Sequence, residues 1–159
     1  MKKIPLLPRY FRWIGIVLFL TGLIYHLCNY FIVFPGYTFY LKTLVIYGDG
    51  HGFDEETWFS FREVDFGLTF ILTSYLIGLT LIAFSRNKVE DEMINSIRLY
   101  SWSWSIIAAL VFSFLSTAFV YGVAYLSFSF LYIQFMLIMY ILLFWLNIWK
   151  MNRRLAHEE

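Results

Sequence analysis

Charge is what this chain lacks: Asp, Glu, Lys and Arg make up 14% of its 159 residues, and between Arg98 and Lys150 there is none. Globular domains carry about a quarter charged residues, so a soluble fold is excluded. The uncharged run is long enough to cross a bilayer twice, at about 20 residues per crossing with a tight reversal between. Cysteine is almost absent as well. With Cys28 alone, neither an internal disulfide nor a paired-cysteine metal or redox centre can form. The residues before it, Tyr25-His26-Leu27, lack the small side chains expected ahead of a lipidated cysteine, so Cys28 reads as a buried thiol. No basic stripe stands clear of the apolar segments, which removes nucleic acid as a partner. The apolar segments consume nearly the whole length and leave no room for a separate soluble catalytic domain.

What is present is hydrophobic, at 60% of residues. Together with the stretches near Trp13–Phe34 and Phe66–Phe84, the uncharged run predicts an all-α membrane protein, a four-helix transmembrane bundle forming one domain over 1–159. The expected spans are about 13–34, 66–84, 101–122 and 127–149, joined by an outer loop at 35–65 and a cytoplasmic juxtamembrane helix at 87–100. The opening Met1-Lys2-Lys3 is not read as a cleaved leader, because the first apolar stretch is too long and no small-residue cleavage site follows it. Ten of the twelve basic residues (Lys2, Lys3, Arg9, Arg12, Arg86, Lys88, Arg98, Lys150, Arg153 and Arg154) then fall on one side. The positive-inside rule puts that side, and both termini, in the cytoplasm. Trp13, Trp102, Trp104, Trp145 and Trp149 are expected at the cytoplasmic interface, and Tyr37, Tyr40, Tyr47, Trp58, Tyr121 and Tyr125 at the outer one. The first twelve residues, with Pro5, Pro8 and four basic side chains, suit contact with anionic headgroups.

Pro35-Gly36 stops the first span. In the outer loop, Tyr40–Tyr47 is β-prone. Gly48-Asp49-Gly50-His51-Gly52 is turn-forming. Asp54 is a good cap for a short helix with Glu55 and Glu56 in its first turn, carrying Trp58, Phe59 and Phe61 into the interface. Asp65 is placed to cap the second span. On the other side, Asn87 is a candidate cap with Glu90 three residues on. The helix it starts either runs straight into the third span or lies in the membrane plane with a kink near Tyr100.

Packing signals come from small residues. Gly15 and Gly22 lie one heptad apart on the first span, and Gly67, Ser74 and Gly78 share a face of the second. On the third, Ser101, Ser105, Ala109, Ser113 and Thr117 recur every fourth residue. Such stripes let helices approach closely in lipid and carry hydroxyls that can bond across an interface. The fourth span is bulky, with Phe128, Phe130, Tyr132, Phe135, Tyr140, Phe144 and Trp145; these face lipid or supply knobs for the stripe. Its Gln134 and Asn147 read as packing groups.

His26 is the intramembrane ionisable group, read either as a histidine satisfied by hydroxyls of neighbouring spans or as a proton, ligand or cofactor site. In the loop, Asp49, His51 and Asp54, with Glu55 and Glu56, are hard ligands whose spacing matches no defined metal loop. No cofactor is expected. The stretch Glu90, Asp91, Ile94, Arg98 reads either as a charge-laced helix entry or as a docking face for a cytoplasmic partner. These acidic residues, followed by Ile94-Asn95-Ser96-Ile97-Arg98-Leu99 and Ser101 ahead of a tryptophan-bearing span, resemble a group of small four-span bacterial inner-membrane proteins. The resemblance implies a location and no activity. The expected function is a non-enzymatic membrane subunit or regulator that associates with a protein partner or with itself in the lipid bilayer. The alternatives are an oligomeric pore or small transporter lined by third-span hydroxyls, and an enzyme built on His26 or the Asp49–Glu56 loop.

Overall fold

The computed structural model describes residues 6–31, 40–48, 57–87, 91–121 and 123–158. Four helices form its body: α1 Phe11–Phe31, α2 Gly67–Ala83, α3 Glu92–Phe119 and α4 Val123–Glu158. Between α1 and α2 a two-stranded antiparallel hairpin is inserted, β1 Tyr40–Gly48 and β2 Thr57–Asp65. Three helical stretches are long and apolar enough to cross a membrane: Phe11–Asn29, Glu92–Phe119 and Phe128–Arg153. The fourth, α2, is equally apolar but has only 17 residues, about 26 Å at 1.5 Å per residue.

The helices are arranged as a row. α1 packs on α2, α2 on α4 and α4 on α3, giving the spatial order α1–α2–α4–α3. In lipid no hydrophobic effect drives helices together, so close backbone approach and interlocking side chains must do so. The α1–α2 pair uses glycine for this purpose. A methyl built on Gly15 would lie 2.7 Å from the carbonyl oxygen of Gly78, and one on Gly78 would lie 2.9 Å from that of Gly15. One turn along α2 and two along α1, a methyl on Gly22 would meet Cβ of Ser74 at 2.9 Å. The faces read from Gly15 and Gly22 and from Ser74 and Gly78 are therefore the two sides of one contact.

The α3–α4 pair joins small to large. Ser101 and Ser105 are fully buried (0% exposed), Ala109 and Ser113 are half-buried, and Thr117 is exposed. Trp102 stacks on Tyr140 with ring centroids 4.3 Å apart, and Phe112 stacks on Phe135 at 4.6 Å. Each such pair contributes about 0.5–1.5 kcal/mol beyond the area it covers. Trp102 also meets Phe84 at 5.7 Å, and Tyr140 stacks on Phe144 at 5.9 Å. This aromatic run ties α2, α3 and α4 together beside the core of Leu79, Ala83, Ile94 and Leu137. Trp102 thus turns inward, where its composition alone placed it in an interfacial belt.

Several local expectations are corrected. Residues 57–65 form a strand rather than part of a helix begun at Asp54, which itself lies outside the described residues. Thr57, Trp58, Phe59, Phe61 and Val64 are strand formers, and they pair with the β-prone Tyr40–Gly48 from Tyr40↔Asp65 to Gly48↔Thr57. Phe59 takes a left-handed φ of 52°, a conformation costing about 1–3 kcal/mol for a bulky side chain. Asp65 ends β2, and α2 starts at Gly67 after Phe66, its N-cap, with no side-chain cap bond. α3 is capped by Asp91, whose carboxylate accepts from the Glu92 N–H at 2.7 Å, not by Asn87. It then runs unbroken through Tyr100 to Phe119. Cys28 is exposed on α1, not buried.

Gly78→Leu sets a branched side chain against the backbones of Gly15 and Phe19 and is expected to destabilise the chain by about 2 kcal/mol or more. Leu110→Ala, on an exposed face, is expected to change little; unfolding in mixed micelles measures both.

Candidate functional site

The basic end of the helix row is the most elaborated part of the chain. The N-terminal segment is clipped to the α2–α3 connection by a parallel bridge between Leu7 and Ser85. The Leu7 N–H donates to the Phe84 carbonyl at 3.0 Å, and the Arg86 N–H donates to the Leu7 carbonyl at 3.0 Å. Arg12, in the first turn of α1, fastens the same connection from its side chain. Its Nε donates to the Ser85 hydroxyl at 3.0 Å, and one Nη donates to the Arg86 carbonyl at 3.2 Å and to the Asn87 side-chain oxygen at 2.7 Å. The guanidinium lies over the Trp145 ring at 5.5 Å. Asn87 is drawn into this cluster, which is the physical reason it does not cap α3.

Beside Arg12 opens a cavity of about 410 Å³. Arg9, Arg12, Asn87, Asp91 and Asn152 supply its polar wall. Ile94, Trp145, Ile148 and Met151 supply the apolar part. In the sequence Arg9 and Arg12 signal only an orientation and contact with headgroups. Nothing in the spacing of Arg9, Asn87 and Asn152 shows that three distant segments meet.

The other candidate residues are placed as follows. Ile94 and Arg98 are buried, Arg98 at 2% exposed with its guanidinium over Phe144 at 5.4 Å. The α3 face bearing them packs on α4, with Ile94 also at the cavity wall; Asp91 is exposed, and Glu90 lies outside the described residues. His26 is exposed on α1, its ring 6.4 Å from that of Tyr75. Asp49, His51 and Asp54 lie outside the described residues, and among the described ones no group of three potential metal ligands occurs. Gly67, Ser74 and Gly78 do not share one environment: Ser74 and Gly78 meet α1, while Gly67 is the half-buried first residue of α2.

The third-span hydroxyls turn back on their own helix. Ser101 donates to the Ile97 carbonyl at 2.8 Å, Ser105 to Trp102 at 2.8 Å, Ser116 to Phe112 at 2.8 Å and Thr117 to Ser113 at 2.9 Å. Asn147 Nδ2 makes a long contact of 3.4 Å to the Ser101 hydroxyl, linking α4 to α3. Gln134 is buried in α4. At the opposite end Thr117 lies 3.4 Å from the Tyr125 hydroxyl, and hydrogen bonding to Thr117 holds that phenol below the ordinary tyrosine range.

No protein-family model, curated protein or solved structure matches the chain.

Arg12→Gln removes the charge and shortens the reach that fasten the start of α1 to Ser85, Arg86 and Asn87, beside the Leu7 bridge. Hydrogen bonds to a charged group contribute about 1.5–3 kcal/mol, so the Leu7 and Arg86 amides are expected to exchange with deuterium at least tenfold faster. The α3–α4 amides are expected to stay protected.

Proposed function

We propose that the chain is a four-crossing integral protein of a bacterial inner membrane, with both termini cytoplasmic, acting as a non-enzymatic subunit or regulator by lateral association. The observation that carries this reading is the row of helices. Of the most apolar stretches of α1 and α3, the two ends of the row, only 11% of residues are buried within the chain, against 22% in α4. α3 exposes Leu110, Val111 and Phe114, the last at 72%. α1 exposes Val17, Leu20 and Ile24. The hydroxyls of Ser101, Ser105, Ser116 and Thr117, by contrast, are spent on carbonyls of α3 itself. Association therefore falls to the outer faces of α1 and α3, with the stripe of Ser101 and Ser105 serving the chain internally. The distribution of basic residues and the length of the apolar helices support the orientation, with α2 as the shortest crossing.

Two measurements test this. Mass spectrometry of the protein purified in native-lipid particles is expected to give a stoichiometric complex, with itself or a second membrane protein. Leu110→Ala with Phe114→Ala is expected to reduce it severalfold, and a single chain with no partner sinks the proposal. Orientation is checked in a Cys28→Ser background. His51→Cys is expected to react with an impermeant maleimide in intact cells, and Asn152→Cys only after permeabilisation.

A further inference from the structure

The cavity at the basic end has a chemistry of its own, independent of lateral association. We propose that it binds the phosphate group of an anionic phospholipid, with Arg12 as a fixed cation and Arg9 as the arm that closes on the phosphate.

Three features point to that ligand. The first is charge placed ahead of any ligand. Arg12 is held by Ser85, the Arg86 carbonyl and Asn87, and its guanidinium lies over the Trp145 ring. Arg9 lines the same cavity from an exposed position and enters no ion pair among the described residues. A guanidinium presents paired N–H donors that match two phosphate oxygens. Asp91 is the opposing charge in the wall. Its carboxylate is turned to the Glu92 N–H as the cap of α3, and the positive end of that helix lies at the same place.

The second feature is the division of the wall. Ile148 and Met151 continue the apolar side, so a molecule with a charged head and a hydrocarbon neck is matched along its length. A free inorganic anion would leave that side unused. The third is scale and position. At about 410 Å³ the cavity falls in the usual range for small-molecule sites, roughly 300–1,000 Å³. It opens where α1 begins, α2 ends and the tryptophans Trp145 and Trp149 lie. Arg153 stacks over Trp149 at 4.0 Å there, an aromatic and basic level of the kind that meets headgroups.

The test uses the full chain in neutral detergent, with phosphatidylglycerol or phosphatidylcholine of identical acyl chains, and native mass spectrometry to count retained lipid. Phosphatidylglycerol is expected to be retained about tenfold better. Arg9→Gln, at an exposed position, is expected to reduce that preference to within about twofold. Met151→Trp, which fills the cavity without changing charge, is expected to do the same, while Arg153→Gln leaves the preference intact. Circular dichroism confirms that each variant keeps its helices. Equal retention of the two lipids overturns the proposal, as does an equal loss in Arg153→Gln and Arg9→Gln, which would show diffuse attraction to a basic surface. Adducts of inorganic phosphate at millimolar concentration, with no preference between the lipids, overturn the assignment to a lipid.

Discussion

The approach of α1 to α2 at Gly15 and Gly78 sets the height at which these helices stand beside each other, because neither position has room for a β-carbon. That register brings the start of α1 level with the end of α2. Only then can Leu7 bridge to Ser85 and Arg12 reach Ser85, Arg86 and Asn87. Those contacts hold the connection whose Asn87 lines the cavity together with Arg9 and Asp91. A glycine contact in the apolar part of the chain thus positions charged groups at its end. Van der Waals contact between backbones is short-ranged and stiff, so it transmits position better than a flexible ionic pair does.

Between α2, α3 and α4 the constraint is aromatic. Phe84, Trp102, Tyr140 and Phe144 form a continuous run from α2 through α3 into α4, and Arg98 is carried into the interior on the face of Phe144. Burying a guanidinium is costly. A ring face compensates in part through its negative quadrupole, and the aliphatic stem of the side chain packs as a hydrocarbon. Ile94, one turn earlier on the same face, is the buried residue that lines the cavity. The two halves of the chain meet at this point, one fixed by glycine and the other by stacked rings.

Much of the helical architecture was legible in composition, because an uncharged run has few other uses and small residues at heptad or four-residue spacing declare a face. The pairs Gly15 with Gly78 and Gly22 with Ser74 could be read as faces though not as partners, since nothing local says which helix a stripe meets. The order of the row was hidden for the same reason. The second half of the outer loop was misread because Asp54-Glu55-Glu56 is a persuasive helix start, whereas strand pairing depends on a segment some twenty residues earlier. Asn87 has the chemistry of a cap; the competing claim of Arg12, 75 positions away, is invisible until the chain folds. The cavity was unreadable because its lining comes from three separated segments.

The shortness of α2 has a consequence for the surrounding lipid. In the proposed arrangement this 17-residue helix, about 26 Å long, occupies an inner place in a row that is one helix thick, so lipid can reach it on both flanks. A hydrocarbon layer of about 30 Å must pinch inward there or the helix must draw its polar ends into the bilayer. The neighbouring α4, at 36 residues, imposes no such demand. With α2 as a crossing, as proposed, the membrane around the chain is uneven in thickness, and the cost of that deformation is lowest where the bilayer is already thin or where a second protein covers α2.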